Sequence, residues 1–518
     1  MTEHDVTAEQ QLSAEQQLVT DSNEQREVRL AKRDRLLAEG DAYPVSVPVT
    51  TSIRAVRERH AGLDAGEETD DIVGIAGRVV HIRNTGRLCF VALQAGDGER
   101  IQAMLSQGEV GKESLAAFKE LVDLGDHLFV HGRVIASKRG ELSVFVDRWQ
   151  IASKAIRPLP NLHSELGEEF RVRNRYLDLI ARDAARDMVI TRAHTNASLR
   201  HTFAEHGFVE VETPMLQTVH GGASARPFVT HSNAFDMDLY LRIAPELFLK
   251  RALVGGIDRV FEINRNFRNE GADSTHSPEF AMLEAYEAYG DYHSIADLTQ
   301  ELIQDAAKAS SPDGGETVVW GDGTAHDYSG DWDRIDLYGS LNERLAEQWT
   351  ASGAAPQITV ETSVAELSAL ADAVGITLDP KTATHGKFVE ELWEHYVKPG
   401  LTRPTFVMDF PLDTSPLTRA HRSKPGVVEK WDLYVRGFEL ATGYSELADP
   451  VIQRQRFVEQ SLLAAAGDPE AMQVDEDFLT AMEYGMPPAG GMGMGIDRLL
   501  MALTGLGIRE TVLFPLVR

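Results

Sequence analysis

Phe261-Glu-Ile-Asn-Arg-Asn-Phe-Arg-Asn-Glu270, followed by His276-Ser-Pro-Glu-Phe280, is the stretch on which the reading of this chain turns. Phe261, Ile263 and Phe267 alternate as one face of a strand. Phe280, Met282, Glu284 and Tyr286 share one face of a second strand. The loop between them carries Arg268, Glu270 and His276. The planar fork of an arginine grips phosphate oxygens in a fixed geometry. Glu270 can accept from a purine amino group, His276 can reach outer phosphates, and Phe280 offers a ring face to the base. Near the C-terminus stands Gly491-Met-Gly-Met-Gly-Ile-Asp-Arg498. Its glycines let a substrate come close to the backbone. Arg498 sits where a strand turns into a helix and can cover the other face of the base by cation–π stacking. Taken singly, these side chains are surface charges or core aromatics. In this order they describe a pocket for a purine triphosphate.

Joining a carboxylate to such a nucleotide needs little acid–base help. The carboxylate attacks the α-phosphate in line, and the enzyme must align two anions and neutralise the charge that develops. Asp432 and Glu439, seven residues apart, read either as solvated charges or as carboxylates that can bind Mg²⁺ bridging phosphates. On a straight strand they would face opposite ways, so a turn at Arg436-Gly437 is required. Other phosphate motifs are missing. There is no G-x-x-x-x-G-K-[ST] and no H-E-x-x-H, and the glycine run has no βαβ unit after it.

The 518 residues allow two or three domains with large cores. A 43% hydrophobic, 25% charged composition is that of a soluble globular protein. The single cysteine, Cys89, excludes a disulfide framework and fits a reducing compartment, so a cytoplasmic location is expected. No apolar run approaches ~18 residues, and membrane insertion is not expected. The polar, acidic N-terminus lacks the pattern of a signal peptide. A net charge of -29 opposes a nucleic-acid partner only if the whole surface counts. A local basic patch suffices. Arg26, Arg29, Lys32, Arg33 and Arg35 stand at helical spacing, either as a solvated face or as one that touches RNA.

The fold class is read as α+β. Residues 1–25 read as a disordered tail. Residues 26–70 read as an N-terminal helical segment whose basic helix ends at Tyr43-Pro44. Residues 71–155 change to short strands of period two: Ile72–Val80, Leu88–Leu93, Ile101–Met104, Leu128–Ile135 and Leu142–Val146. A helix near Phe118–Leu121 falls between the third and fourth, the pattern of an OB-fold barrel. Phe90 and Gln102 would lie on its open face with Glu141 beside them, suited to stacking and reading bases. Residues 156–518 form a second domain. In it Met188, Leu199 and Phe203 space a long helix closed by Gly207, and a strand Phe208–Glu212 follows. Residues 295–425 read as a helical, loop-rich insertion before the strands resume at 427.

From about residue 25 to Arg518 the chain resembles the bacterial class II lysyl-tRNA synthetases. The strings that carry the resemblance are Arg173-Asn-Arg-Tyr-Leu-Asp-Leu-Ile180, Gly221-Gly-Ala-Ser-Ala-Arg-Pro-Phe228, Tyr240-Leu-Arg-Ile-Ala-Pro-Glu246 and the two stretches quoted above. The resemblance implies an anticodon-binding OB-fold barrel followed by a catalytic antiparallel sheet. It further implies a homodimer that uses ATP, Mg²⁺, L-lysine and tRNA(Lys). On that basis Arg268 and Arg498 are catalytic, and Arg268, Glu270, His276, Phe280, Glu439 and Arg498 bind ATP. Gly222, Glu246, Arg268, Glu284, Tyr286, Tyr444 and Glu446 bind lysine. Asp432 and Glu439 hold the metal, and Arg83, Phe90, Gln102 and Glu141 read a uridine-rich anticodon. Buried carboxylates beside a phenol want an ammonium; an uncharged substrate leaves them unpaired at a cost of ~2–5 kcal/mol. The alternative for Glu284 is a structural salt bridge with Arg268.

Thr442, Ala448, Asp432, Ser277 and Thr275 depart from the usual pattern, and the departures cluster around the adenylate. They resemble the synthetase half of bifunctional proteins that pass lysine from tRNA to phosphatidylglycerol. Four other readings stand beside plain tRNA charging. One is an enzyme that attaches lysine to protein, one a synthetase for aspartate or asparagine, one a catalytically weakened or regulatory tRNA-binding paralogue, and one a supplier of lysyl-tRNA for the lipid step.

Overall fold

The structure, a computed structural model, describes residues 23–161, 166–223, 225–271, 276–349, 354–379, 383–465 and 472–517. The expected tail therefore lies outside the described residues up to 22, and so does Thr275. The chain divides into two compact units between Arg186 and Asp187, further along than the boundary near residue 155 read from the sequence.

In the first unit, five strands close into a barrel in the order β1-β2-β3-β5-β4. They are β1 (Glu68–Asn84), β2 (Leu88–Gln94), β3 (Arg100–Ser106), β4 (His127–Ala136) and β5 (Leu142–Ser153). The helix Lys112–Leu121 falls between the third and fourth, as in an OB-fold. Alternation decides the faces. Cys89, Val91 and Leu93 point into the core, whereas Phe90 and Gln102 take the intervening, partly open positions.

The basic helix covers the described residues 23–39, so it includes part of the expected tail, and it stops before Tyr43-Pro44. An extended stretch and the short helix Ile53–Arg59 follow, so 26–70 is not helical throughout. Its cations are used inside this unit. Arg29 is buried and donates to the carbonyls of Leu124, Ala155 and Arg157. Lys32 pairs with Asp123 at 2.6 Å, and Arg35 with Glu120 at 2.5 Å. The spacing that suggested either solvent or RNA thus includes a face packed against acids of the barrel unit.

In the second unit the central element is an eight-stranded sheet. Its strands are β6 (Val209–Glu210), β10 (Arg259–Phe267), β11 (Glu279–Ala288), β14 (Asp333–Asp336), β15 (Thr405–Pro411), β16 (Val427–Val435), β17 (Phe438–Ser445) and β18 (Ala489–Gly495). The order is β14-β15-β16-β17-β18-β11-β10-β6. A small sheet, β7 (Leu216–Gln217), β9 (Met237–Leu241) and β8 (Val229–Ser232), and a hairpin, β12 (Thr317–Val319) with β13 (Ala325–Asp327), complete the strands described.

Four strands, β12 to β15, fall within the segment read as helical and loop-rich. The helices Leu337–Gln348, Val364–Ala373 and His385–Tyr396, between β14 and β15, share a core with residues of β15 and β16. The strand expected over Phe208–Glu212 is shorter, Val209–Glu210, and pairs in parallel with β10. It follows the helix Asp183–Glu205 through Gly207, whose φ of +73° favours glycine.

Register builds the pocket floor. Thr442, Gly493, Glu284 and Glu262 lie side by side across β17, β18, β11 and β10, with Asp432 of β16 completing the row. The next row on the same face holds Lys430, Tyr444, Gly491 and Tyr286. In the middle strand Met492 and Met494 fill the core on the opposite face, each burial stabilising by roughly 1.5–3 kcal/mol. Gly493 and Gly495 put no side chain on the pocket face.

Candidate active site

The cavity over this floor has a volume of about 320 Å³. Its walls include Gly222, Glu246, Arg268, Glu270, His276, Phe280, Glu284, Tyr286, Glu439, Tyr444 and Arg498. Most of the residues read from the sequence as nucleotide or amino-acid ligands therefore meet in one space, with cations towards one end and acids towards the other.

At the cationic end, the Arg268 guanidinium lies 5.1 Å from the centre of the Phe280 ring. Its Nε is buried without a partner among the described residues. Burial lowers its pKa, against the pull of Glu270, Glu284 and Glu439. A buried donor in this condition suits an incoming anion. Glu270 is exposed and accepts from the Arg226 backbone N–H at 3.4 Å. Arg498 Nη2 lies 3.2 Å from His276 Nε2, and Nη1 donates to the Glu439 carbonyl at 2.8 Å.

Asp497 holds this end in place, a role the sequence reading missed although it quoted the residue. It is buried, accepts from Arg192 at 2.6 Å and from the Ala281 backbone N–H at 2.8 Å, and so ties the helix Ile496–Thr504 to β11.

At the acidic end, Glu284 is buried and accepts from the Tyr286 hydroxyl at 3.0 Å. Burial, then the charge of Glu246, pushes its pKa up to about 8, while Arg268 and Arg242 pull the other way. The ion pair of Arg242 is with Glu262, at 2.7 Å.

Glu246 opens the helix Glu246–Val254 after Pro245 and faces Gly222. A Cβ on Gly222 would lie 3.1 Å from the Glu246 Cβ, and its φ of +87° also demands glycine. Gly491 plays a different part from the one expected. The space above it is taken by the Glu446 carboxylate and the Tyr286 ring rather than left to a substrate. Glu446 itself is buried off the cavity wall, paired with Lys250.

The two candidate metal acids stand on β16 and β17, joined through Arg436 and Gly437 at φ +54° and +82°. The turn required by their spacing is present. Asp432 is buried. Its Oδ2 lies 3.0 Å from Lys430 Nζ, and its Oδ1 has no partner among the described residues. Glu439 is exposed as a residue, yet burial of its carboxyl group and the nearby charge of Asp432 raise its pKa. An orphaned oxygen and a repelled neighbour fit a cation shared with phosphates. No group of three or more His, Cys, Asp or Glu suited to a metal occurs among the described residues. Lys430, two residues from Asp432 on one strand face, was legible by period but not singled out.

Of the departures from the usual pattern that fall among the described residues, Ser277 and Thr442 line the cavity, and Ala448 packs beside a neighbouring core. On the barrel, the Arg83 guanidinium sits 4.4 Å from the centre of the Phe90 ring, and the Gln102 side chain donates to Ser143 Oγ at 2.8 Å. Glu141 lies exposed at the approach to β5.

Residues 167–518 match the family described as tRNA synthetases class II (D, K and N), and residues 73–152 match the OB-fold nucleic acid binding domain. The chain is 63% identical to a lysine–tRNA ligase of Kineococcus radiotolerans over 96% of its own length and 98% of that protein. It is 59% identical to a lysine–tRNA ligase of Mycolicibacterium gilvum over the same shares, 96% and 98%. It is also 48% identical to the lysylphosphatidylglycerol biosynthesis bifunctional protein LysX of Gordonia bronchialis, over 96% of this chain but 42% of that protein.

Proposed function

The chain belongs to the class II tRNA synthetases of the aspartate, lysine and asparagine group, and from that membership we infer that it activates L-lysine with ATP and transfers it to tRNA(Lys). The observation that carries the choice of amino acid is the buried acid pair Glu246 and Glu284, joined in one cavity to Arg268 and Arg498. Aspartate would be repelled by those acids, and asparagine would leave them unpaired. Relatives with the ligase name match 96% of the chain at 63% and 59% identity, against 48% for LysX over the same share. The ligase reading is therefore preferred to a regulatory or lipid-linked one.

The residues suggest the following division of labour. Phe280 and Arg498 hold the adenine between them, and Glu270 accepts from its amino group. Arg268 draws the lysine carboxylate and the α-phosphate together and stabilises the charge that develops. His276 and Arg498 steady the outer phosphates. Gly222, Glu246, Glu284, Tyr286, Tyr444 and Glu446 form or support the lysine site. Asp432 and Glu439 would hold Mg²⁺ with the ATP phosphates, where the ion offsets phosphate charge.

Exchange of pyrophosphate into ATP, run with all twenty amino acids and no tRNA, tests this reading. Exchange with lysine alone is expected. Silence with every amino acid would favour the regulatory paralogue, and exchange with another would mean that Thr442 and its neighbours have redirected the pocket.

Recognition of tRNA(Lys) is assigned to the OB-fold, with Phe90 stacking on an anticodon base beside Arg83, Gln102 and Glu141. Phe90→Ala should lower kcat/KM for tRNA charging by about 5- to 150-fold, the worth of one stacked base. Lysine-dependent exchange should stay unchanged, because the barrel carries none of the cavity residues. Equal losses in both assays would refute that division.

A homodimer is also proposed. Val189, Ile190 and Val209 expose apolar surface on the long helix and on the strand at the sheet edge. Such surface suits a second copy. Light scattering should then give the mass of two chains. No helix among the described residues is long and apolar enough to cross a membrane, and the cytoplasm is the proposed site of action.

A further inference from the structure

Lys250 is wholly buried, one turn after Glu246 on the helix Glu246–Val254. It does not line the cavity. Its Nζ donates to Glu246 Oε1 at 2.5 Å and lies 2.5 Å from Glu446 Oε2, with the Tyr286 ring centre 5.9 Å away. The Glu446 Oε1 atom, buried against Gly491 and Tyr286, has no partner among the described residues. Two acids of the lysine pocket therefore already share a cation that belongs to the protein.

We propose that Lys250 is a resident counter-cation of the amino-acid pocket. By engaging one oxygen of Glu246 and one of Glu446 from outside the cavity, it fixes the charge and position of Glu246, the acid on the cavity wall that receives the substrate's side-chain ammonium, with Glu446 behind it. This rests on the lysine-ligase reading of the pocket. Lys250 is a positioning residue, acting through the two glutamates, and is not required to touch substrate.

Charge balance supports the assignment. With lysine bound and all three acids ionised, Glu246, Glu284 and Glu446 face Lys250 and Arg268, which leaves a single excess negative charge on the protein. Lysine, with two ammonium groups and one carboxylate, brings the single positive charge that cancels it. Without Lys250 the excess doubles, and buried acids in that position take up protons instead of remaining ionised. The groups facing Lys250 are Glu246 on its own helix, Glu446 after β17, and Tyr286 on β11. Glu284 lies beyond the Tyr286 hydroxyl, with Arg268 and Arg242 bearing on it, and Tyr444 lies near Glu246. Burial and Glu246 raise the Glu446 pKa to about 7 even though Lys250 opposes them.

Lys250→Met, assayed by pyrophosphate exchange in the full-length protein, tests the proposal. The KM for lysine should rise at least ~30-fold near neutral pH, as when one partner of a buried charge pair is removed. The KM for ATP and kcat should stay within about twofold, as expected for sites that are not coupled. The lysine deficit should shrink as pH rises from about 6 to about 9, because base restores the charge that Lys250 otherwise secures. An unchanged lysine KM in folded K250M overturns the proposal. So does a joint shift of both KM values and kcat with a lowered Tm, which marks a structural role. Lys250→Arg retains the cation and decides the matter if K250M does not fold. Its lysine KM should lie within about tenfold of wild type. A folded K250R with normal ATP affinity but a larger lysine deficit refutes the claim. A wild-type protein without lysine-dependent exchange would instead refute the underlying ligase reading.

Discussion

Replacing Arg268 with alanine should reduce lysine-dependent pyrophosphate exchange by ~10³-fold or more, the range for an arginine that stabilises a transferring phosphoryl group. Among the described residues its Nε has no partner, and the side chain rests on Phe280. The arginine is held for an anion and does not close a structural network. The fold should survive, since the β10–β11 ladder and the Arg242–Glu262 pair do not involve its side chain. Circular dichroism and Tm close to wild type, with exchange abolished, would match this account. Near-normal exchange would remove Arg268 from the chemistry. The variant should also bind lysine more weakly at neutral pH, because Arg268 is one of the charges that restrain the Glu284 pKa. Arg268→Lys keeps the charge without the planar fork and should fall between the two.

How much of this site could be read in the sequence depends on where each signal lay. The pocket face of β11 was legible because one face of the strand is buried under the cavity, so Phe280, Met282, Glu284 and Tyr286 recur at period two. The Arg436–Gly437 turn followed from geometry alone. It was needed to bring Asp432 and Glu439 to the same side, and Gly437 supplies positive φ without strain. The five barrel strands were legible for the same reason as β11, with ends that fell short because β1 and β5 run on beyond their buried stretches.

β15 was missed because every one of its residues is buried, so Thr405–Pro411 shows no alternation from which to infer a strand. β14 is too short to announce itself. Lys250 was missed for another reason. A lysine four residues after a glutamate on a helix carries no sign of burial, because i, i+4 pairs are common on surface helices. Only tertiary structure buries them and brings in Glu446 from a distant strand end. The basic helix misled in the same way, since Asp123 and Glu120, which take up Lys32 and Arg35, are remote in sequence.

Glu284→Gln should raise the KM for lysine by ~30- to ~4000-fold, equivalent to ~2–5 kcal/mol for a buried acid that pairs with an ammonium. The pH profile separates this from simple loss of shape. In the empty pocket, burial and Glu246 hold the Glu284 pKa near 8, well above the ordinary carboxyl range. Below that pH the acid carries a proton that an arriving ammonium must displace. Wild-type lysine KM should therefore fall as pH rises towards about 8 and then level off, whereas E284Q should lack that limb.

Stability should move in the opposite sense. A carboxyl whose folded pKa is raised binds more protons folded than unfolded. Its protonated form favours the native state fully at pH values below the unfolded pKa, and that advantage is lost as pH climbs through about 8. Ligand-free E284Q makes no such ionisation, so its Tm relative to wild type should increase between pH 6 and pH 9. A variant that loses lysine affinity while its Tm difference stays flat with pH would show that Glu284 is not held protonated in the empty pocket. A variant that keeps lysine affinity would show that the substrate ammonium is received by Glu246 without it.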